Sequence, residues 1–351
     1  MNLNKLGFAL LTLSVISGCS NSSKMTPVKF TQLVSFGDSL SDVGTYRVGT
    51  VQALGGGEFT VNAATDKIWV EDIANALALP APCAAQTGLN GAAKLGFSVP
   101  VSNHAGCDGY AQGGARVTNP VGPGNALLGG SNALIGMLTV PVVTQIQNYL
   151  GTTGGNFTGT ELVTVWAGAN DIFIQADTVA LGLETPTDAL DGVSVAGTEM
   201  AGYINNEMIA KGANHIVVLL LPDISLTPMA LAEPAQSQTF LRSLTTMYND
   251  SLTTGLASAP AGKVMIFDTY SASQAEAAAP AKYGLTNVTA TACNLDPTVN
   301  PLSSSLVCSA NNLNSGTNGY YEYADDVHPT PYAHALVAKG VLTQMSQLGW
   351  Y

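Results

Sequence analysis

The segment Gln32-Leu33-Val34-Ser35-Phe36-Gly37-Asp38-Ser39-Leu40-Ser41-Asp42 passes from an apolar stretch directly into a polar turn sequence. Its first five residues predict a β-strand, and Gly37-Asp38-Ser39 predicts a tight turn after it. A serine in a turn that follows a strand is a candidate nucleophile. By itself the tripeptide is weak evidence, because turns commonly contain these residue types.

A second polar cluster, Asp325-Asp326-Val327-His328-Pro329, lies near the other end of the chain. A serine hydroxyl needs a base to take its proton, and that base needs a partner to fix its tautomer. His328 is the candidate base and Asp325 its candidate partner. The Asp-x-x-His spacing favours Asp325 over the adjacent Asp326, and we assign Asp38 a structural role in its own turn.

Between the two clusters, short apolar runs alternate with helical patterns. Further strands are predicted at 162–166, 216–221 and 263–267, and helices at 68–79, 140–150, 198–211, 240–256 and from Pro331, with Thr330 as N-cap. This alternation predicts a parallel sheet covered on both faces. In such sheets the site lies beyond the carboxyl ends of the strands, where Ser39, Asn170 and Asp223 are expected. Residues 80–130 and 271–325 are predicted to be mostly loops.

Composition limits the function classes. The chain has 351 residues, of which 46% are hydrophobic and only 10% charged, and its net charge is −12. An acidic surface repels phosphate backbones, so nucleic-acid binding and polybasic docking on anionic lipid are disfavoured. We find neither repeats nor a dividing linker, and therefore expect one domain over residues 30–351, with no obligate protein partner.

The N-terminal segment predicts export. Residues 1–18 contain Lys5 followed by an apolar run too short to span a bilayer, as in a signal peptide. Ile16-Ser17-Gly18-Cys19 resembles a bacterial lipobox, so Cys19 is the expected lipidation site and residues 19–29 include the tether. Ser20 favours an outer-membrane lipoprotein. An ordinary secretory signal, giving a periplasmic or secreted protein, is the alternative.

Four cysteines remain after Cys19. An even number in an exported chain predicts disulfides, and three pairings are possible. We favour the local pairing, Cys83–Cys107 with Cys293–Cys308. A zinc site is the alternative, but it lacks the paired Cys-x-x-Cys or histidine spacing that such sites use.

Four motifs in order resemble the sequence blocks of the GDSL, or SGNH, hydrolases. The first is Phe36-Gly37-Asp38-Ser39-Leu40-Ser41-Asp42. The second is Gly109-Tyr110-Ala111-Gln112-Gly113-Gly114-Ala115, where Gly109 replaces the family's asparagine. Gly168-Ala169-Asn170-Asp171 resembles the third block, and Asp325-Asp326-Val327-His328-Pro329-Thr330 resembles the fifth.

This resemblance implies a three-layer α/β/α fold with five parallel strands and a Ser39-His328-Asp325 triad. It also implies an oxyanion hole formed by the backbone N–H groups of Ser39 and Gly114 and the side-chain amide of Asn170. Gly113 is the weaker alternative to Gly114. No metal or cofactor is implied.

The expected activity is hydrolysis of carboxylic esters through an acyl-enzyme, with an ester or lipid as substrate. A phospholipase or lysophospholipase, or a carbohydrate O-acetyl esterase, are the alternatives on the same fold. A tethered binding protein without turnover is the rival from another class. Of the remaining residues, one or more of Tyr320, Tyr321 and Tyr323 are candidates to border the site, whereas His215, His334 and Trp166 are expected to be structural.

Overall fold

The structure is a computed structural model that describes residues 28–63, 65, 67–128 and 139–351. The predicted signal peptide, the lipidation site Cys19 and most of the tether lie outside these residues. Within them, no helix has both the length and the apolar character needed to cross a bilayer.

The centre of the fold is a parallel sheet. The strands of the described chain are β1 (Gln32–Gly37), β2 (Gln86–Asn90), β3 (Ser98–Asn103), β4 (Glu161–Trp166), β5 (His215–Leu219), β6 (Val264–Phe267), β7 (Asn287–Thr291) and β8 (Tyr321–Tyr323). The central sheet has the order β1-β4-β5-β6, and every neighbouring pair in it is parallel. All six residues of β4 are buried, which explains why four of them are apolar.

Helices cover both faces of the sheet. The α-helices of the described chain are α1 (Gly49–Ala53), α2 (Trp69–Ala76), α3 (Val142–Thr152), α4 (Ala169–Ala180), α5 (Pro186–Tyr203), α6 (Pro228–Leu231), α7 (Ala235–Leu256), α8 (Thr269–Ala278) and α9 (Pro331–Gln347). Trp69 of α2 packs edge-on against Trp166, and Tyr149 of α3 packs against Phe36. Because Trp166 pairs with Gly37, the residue after Phe36, these two contacts lie on opposite faces of the sheet.

The expected fifth parallel strand is not present in the described residues, and the prediction of five strands is corrected to four. On the free side of β1 the chain makes a single parallel bridge, between Ser35 and Gly109. Backbone bonding to β1 continues only to Gln112 N, 3.1 Å from Gly37 O, after which the chain turns, with Ala115 N 3.1 Å from Gln112 O. Gly109 is also bonded to the Cys83 segment on its other side, with its N–H 3.0 Å from Cys83 O. A Cβ atom at Gly109 would lie 2.8 Å from that oxygen and 2.5 Å from Val43 Cγ2, so glycine suits this crowded position.

The four strands of the central sheet are found within two residues of their predicted limits. Some of the predicted helix limits were wrong. The helix predicted at 198–211 begins at Pro186, where Thr185 accepts a hydrogen bond from Asp188 N, and it continues as a π-helical turn, Ile204–Ile209. Helix α8 lies in a segment that was predicted to be mostly loop. The last helix begins as predicted, with Thr330 Oγ1 accepting from Ala333 N at 3.3 Å.

Two disulfides tie the long connections, in the pairing favoured from the sequence. Cys83–Cys107 encloses the antiparallel pair β2–β3, and Cys293–Cys308 closes a segment before β8. Strand β8 pairs in parallel with β7, and it leads into the loop that carries His328.

Candidate active site

Ser39 begins a short 3-10 turn, Ser39–Ser41, at the carboxyl end of β1. The Asp38 carboxylate accepts a hydrogen bond from Leu40 N at 3.1 Å, so its predicted structural role in the turn is confirmed. Burial raises the pKa of Asp38 to about 7, although this hydrogen bond and the charge of His328 lower it. Gly37 is held by Gln145, which accepts from its N–H at 2.9 Å and donates to its oxygen at 2.8 Å. The turn is therefore anchored on both sides of Ser39.

The loop between β8 and α9 presents His328. Ala324 N donates to His328 O at 2.7 Å, and Tyr323 and Pro329 form an antiparallel bridge, so the loop closes on itself. Although His328 and Ser39 are separated by 289 residues, His328 Nε2 lies 2.8 Å from Ser39 Oγ. The other ring nitrogen, Nδ1, lies 2.8 Å from Asp325 Oδ1 and 2.9 Å from Oδ2. The serine, histidine and aspartate thus form one chain of hydrogen bonds.

Asp325 is buried but well supplied with donors. Its Oδ1 accepts from the backbone N–H groups of Val327 (3.0 Å) and His328 (2.8 Å), and its Oδ2 accepts from Ser305 N at 2.7 Å. Burial raises the pKa of Asp325, but the charge of His328 and the hydrogen bonds from His328 and Ser305 outweigh it and hold the pKa below its ordinary value. Asp325 is therefore an anion that can orient and stabilise a charged imidazole.

Two neighbouring residues fix the imidazole and its loop. The ring of Phe59 packs against His328, with centroids 4.9 Å apart and planes 35° from parallel. Thr60 Oγ1 donates to Pro329 O at 2.9 Å. The segment after α1 therefore supports the His328 loop from a second side.

The three predicted oxyanion donors lie around the same cavity. Asn170 Nδ2 donates one hydrogen to Ala115 O at 2.9 Å, which leaves the second amide hydrogen available. Gly113 N donates to Asp42 Oδ2 at 2.9 Å, so this N–H is already used. Gly114, with φ +79°, has an N–H with no acceptor within the described part of the chain. The geometry thus favours Gly114 over Gly113.

Two buried carboxylates connect the turns that carry these donors. Asp42 accepts from Gly44 N and Thr45 N in its own turn as well as from Gly113 N. Burial raises the pKa of Asp42 to about 6, while these hydrogen bonds lower it. The Asp42 contacts link the Ser39 segment to the glycine turn.

Asp171 makes the second connection. It accepts from Arg116 Nε at 2.8 Å and from Val117 N at 3.0 Å. Burial raises the pKa of Asp171, and Arg116 lowers it. Because Asp171 follows Asn170, the ion pair fixes Asn170 relative to the glycine turn.

Ser39, Gly114, Asn170 and His328 line one cavity of about 830 Å³. The α4–α7 wall is mainly apolar; its apolar members are Phe173, Ala176, Val179, Ala180, Phe240 and Leu241, and its polar members are Asp177, Gln236 and Ser237. The β8–α8 wall is different in character; it consists of Phe267, Glu276, Glu322 and Tyr323. Ser39, His328 and the predicted oxyanion donors therefore face a cavity that has two chemically distinct walls.

The structure also places the other residues considered from the sequence. Tyr323 lines the cavity, which confirms that one of the three tyrosines borders it. His334 is fully buried in α9, and burial lowers its pKa to about 3. Asp223 follows β5 as predicted, but its carboxylate is bonded to Arg242 Nε at 3.0 Å.

Sequence reasoning missed several residues that support the site. Asp42 and Asp171 stand inside recognised motifs, so their acceptor role could have been suspected from their position. Ser305 and Phe59 lie in segments without a motif, and only the folded chain brings them to Asp325 and His328.

Comparison with known proteins agrees with this geometry. The model of the family described as GDSL-like Lipase/Acylhydrolase matches residues 33–341, and this range contains all of the proposed catalytic and oxyanion residues. A search of curated proteins found none that matches the chain. Since the family match extends over most of the sequence, the chain belongs to the GDSL-like lipase/acylhydrolase family.

Proposed function

We propose that this acyl hydrolase is a serine carboxylic-ester hydrolase that works through an acyl-enzyme. The observation that supports this most directly is the hydrogen-bonded chain from Ser39 Oγ through His328 to Asp325, with contacts of 2.8 Å at both imidazole nitrogens. The arrangement provides a nucleophile, a base and an orienting anion in contact.

In the first step His328 Nε2 takes the Ser39 hydroxyl proton while Oγ bonds to the ester carbonyl carbon. The carbonyl electron pair moves onto oxygen, and the N–H groups of Ser39, Gly114 and Asn170 bind that oxyanion. Its collapse breaks the bond to the alcohol oxygen, which leaves with the proton from His328. The product is an ester between the acyl group and Ser39.

In the second step water replaces the alcohol. His328 takes a proton from water, the hydroxide oxygen bonds to the acyl carbon, and the intermediate collapses to release Ser39 Oγ with that proton. Asp325 stays ionised in both steps and stabilises the imidazolium. The net reaction converts an ester and water into an acid and an alcohol.

The proposed substrates are esters with an acyl chain longer than acetyl. The apolar α4–α7 wall favours this choice, because burying methylene groups there contributes about 0.8 kcal/mol each. Among p-nitrophenyl esters from acetate to octanoate, we expect kcat/KM to rise with chain length. A maximum at acetate would instead favour a carbohydrate O-acetyl esterase.

The decisive test compares Ser39→Ala and His328→Ala with the wild-type chain. Each variant is expected to lose about 10⁴-fold or more in kcat while keeping its circular-dichroism spectrum. A fluorophosphonate should label the wild type at Ser39 and leave Ser39→Ala unlabelled. Full hydrolysis by folded Ser39→Ala would disprove the mechanism, and a wild type that neither labels nor hydrolyses would favour a binding protein.

We also propose that the enzyme is exported and anchored in the cell envelope through lipidated Cys19, as the N-terminal sequence suggests. Expression in a bacterial host with radiolabelled palmitate should label the wild type and not Cys19→Ser. Equal label in both would contradict the anchor, and release of an unlabelled wild type to the medium would favour an ordinary secreted enzyme.

A further inference from the structure

The cavity carries an unusual charge balance. Seven carboxyl groups line it, and among its described lining residues there is no lysine or arginine; the carboxyl groups belong to Asp38, Asp177, Glu233, Glu276, Glu322, Asp325 and Asp326. The triad uses Asp325, and the nucleophile turn uses Asp38. The other five have no role in the proposed mechanism.

Two of these carboxyl groups, Glu276 and Glu322, line the same β8–α8 wall. Burial raises the pKa of Glu322, and the negative charge of Glu276 raises it further. Glu322 Oε2 is inaccessible to solvent and has no hydrogen-bond partner within the described part of the chain. Neither glutamate has an ion pair with a described lysine, arginine or histidine. Burying a carboxylate pair without a counter-charge is unfavourable, so the raised pKa keeps a proton on the pair, and a cationic ligand would displace that proton by supplying the missing positive charge.

Tyr323 provides a second, independent observation. Its side chain lines the same wall, and the residue is only 8% exposed. Its hydroxyl has no hydrogen-bond partner among the described residues and is not one of their fully buried unpartnered atoms, so it is free to bond a ligand. Burial and the charges of Glu322 and Glu276 raise its pKa, and the three residues line the same cavity. An aromatic face next to two carboxylates is the combination that binds organic ammonium groups.

The position of this wall indicates which part of a substrate it would contact. Glu322 and Tyr323 belong to β8, which leads into the His328 loop and is bonded to it, with Thr330 N 2.9 Å from Glu322 O. In the proposed mechanism His328 gives its proton to the departing alcohol, so the alcohol portion must lie on the His328 side. The apolar α4–α7 wall is then left for the acyl chain.

We infer that Glu276, Glu322 and Tyr323 form a subsite for an ammonium group carried by the alcohol portion of the ester. This inference rests on the proposed esterase function for its place in the reaction, and it makes the enzyme selective for cationic over neutral alcohol groups. The two carboxyl groups supply charge, and the tyrosine supplies a π face and a hydroxyl.

The test compares butyrylcholine with 3,3-dimethylbutyl butyrate, in which carbon replaces the charged nitrogen. The wild type should favour the choline ester in kcat/KM by about 10-fold or more, a difference of about 1.4 kcal/mol. Glu322→Gln and Glu276→Gln, which keep side-chain size, should each reduce this preference towards unity. Glu233→Gln removes an exposed carboxyl group of the same cavity and is the matched control; it should retain the preference.

A binding measurement separates this inference from the esterase proposal. Calorimetric titration of choline into the wild-type chain should show binding that Glu322→Gln weakens about 10-fold and that 3,3-dimethylbutan-1-ol does not reproduce. If choline binds in this way but neither ester is hydrolysed, the esterase proposal fails and the ammonium subsite stands. If both esters are hydrolysed equally and choline does not bind, the subsite is disproved while the esterase proposal survives.

Discussion

At the scale of single residues, the site depends on which carboxylate orients His328. Asp325 and Asp326 are adjacent in the chain, but only Asp325 is buried, and only Asp325 contacts Nδ1 of the imidazole. The backbone determines which aspartate contacts His328, because the N–H groups of Ser305, Val327 and His328 all donate to the Asp325 carboxylate.

Asp325→Asn should therefore reduce kcat by about 10⁴-fold, because an amide cannot accept from every one of these donors and would favour the wrong imidazole tautomer. Asp326→Asn changes an exposed neighbour and should leave kcat within about threefold of the wild type. Steady-state kinetics on p-nitrophenyl butyrate would measure both. Similar losses in the two variants would show that the assignment of Asp325 is wrong.

Asn170 gives a second prediction at this scale. Asn170→Ala removes one proposed oxyanion donor and should reduce kcat by about 10²- to 10³-fold, with little change in KM, since the donor acts on charge that develops in the transition state. Fluorophosphonate labelling of Ser39 should slow as well. A variant that loses affinity for substrate but keeps kcat would place Asn170 in substrate binding instead.

The sequence predicted the three residues that form the hydrogen-bonded chain, but not the residues that support them. Ser39, His328 and Asp325 occur in motifs whose residue types and order carry the chemistry. Ser305 contributes only a backbone N–H, which any residue type could provide, so its identity gave no signal. The contact of Phe59 with His328 could not be predicted for a similar reason, since an aromatic residue in a loop is equally consistent with ordinary packing.

At the scale of elements, the site is assembled from turns that follow strands and are tied to one another by buried carboxylates. Asp42 is the clearest case, because it accepts hydrogen bonds both within its own turn and from Gly113 N. The position of the Gly114 N–H therefore depends on a side chain from another segment.

Asp42→Asn should displace that N–H. The amide would present its NH₂ group either to Gly113 N or to the donors of its own turn, and one buried N–H would lose its acceptor, at a cost of about 1–3 kcal/mol in unfolding free energy. We also expect kcat to fall about 10-fold or more. Urea unfolding and kinetics together would measure this, and a loss of stability without any loss of kcat would show that Asp42 does not position the glycine turn.

The elements that could be predicted were those with a strong local pattern. β4 is wholly buried and β5 is buried after His215, so both are rich in apolar residues, and the start of α9 has both a threonine cap and a proline in its first turn. The fifth strand, expected from the resemblance alone, is reduced to single bridges at Gly109, because the chain turns at Gln112–Ala115 soon afterwards. Helix α8 was missed because it buries only Thr269 and so has little apolar periodicity.

At the scale of the whole molecule, buried carboxyl groups set the pH dependence of stability. Asp38 and Asp42 have pKa values raised from 3.8 to about 7 and about 6 by burial. Such groups contribute stability that is fully present below pH 3.8 and is lost as pH rises through their folded values. Asp325 has a lowered pKa and acts in the opposite direction, since its contribution is present above pH 3.8 and is lost as pH falls below it.

We therefore expect the unfolding free energy to be highest near pH 4–5 and to decline towards pH 8. The difference between 3.8 and about 7 for Asp38 corresponds to about 4 kcal/mol. Asp38→Asn, which keeps the acceptor for Leu40 N, should flatten the decline. Urea denaturation from pH 4 to 9 would measure it, and identical slopes in the wild type and the variant would contradict the proposed role of Asp38.

At the scale of the whole molecule, the two disulfides are expected to contribute similarly to stability but differently to catalysis. They close segments with sequence separations of 24 and 15 residues, for which chain entropy predicts similar stabilisation of about 3 kcal/mol each. Only Cys293–Cys308 lies close in sequence to Ser305, the donor to Asp325 Oδ2. Asn62 further ties Cys308 to the Phe59 segment, with its N–H 2.7 Å from Cys308 O.

Replacing Cys293 and Cys308 by serine should consequently lower both the unfolding free energy and kcat, the latter by about 10-fold or more through misplacement of Asp325. Replacing Cys83 and Cys107 should lower the unfolding free energy by a similar amount and leave kcat within about threefold. Kinetics well below the melting temperature of the weaker variant would separate the two effects. Equal losses of kcat would mean that both disulfides act through general stability, and that the Ser305 contact with Asp325 survives without its disulfide.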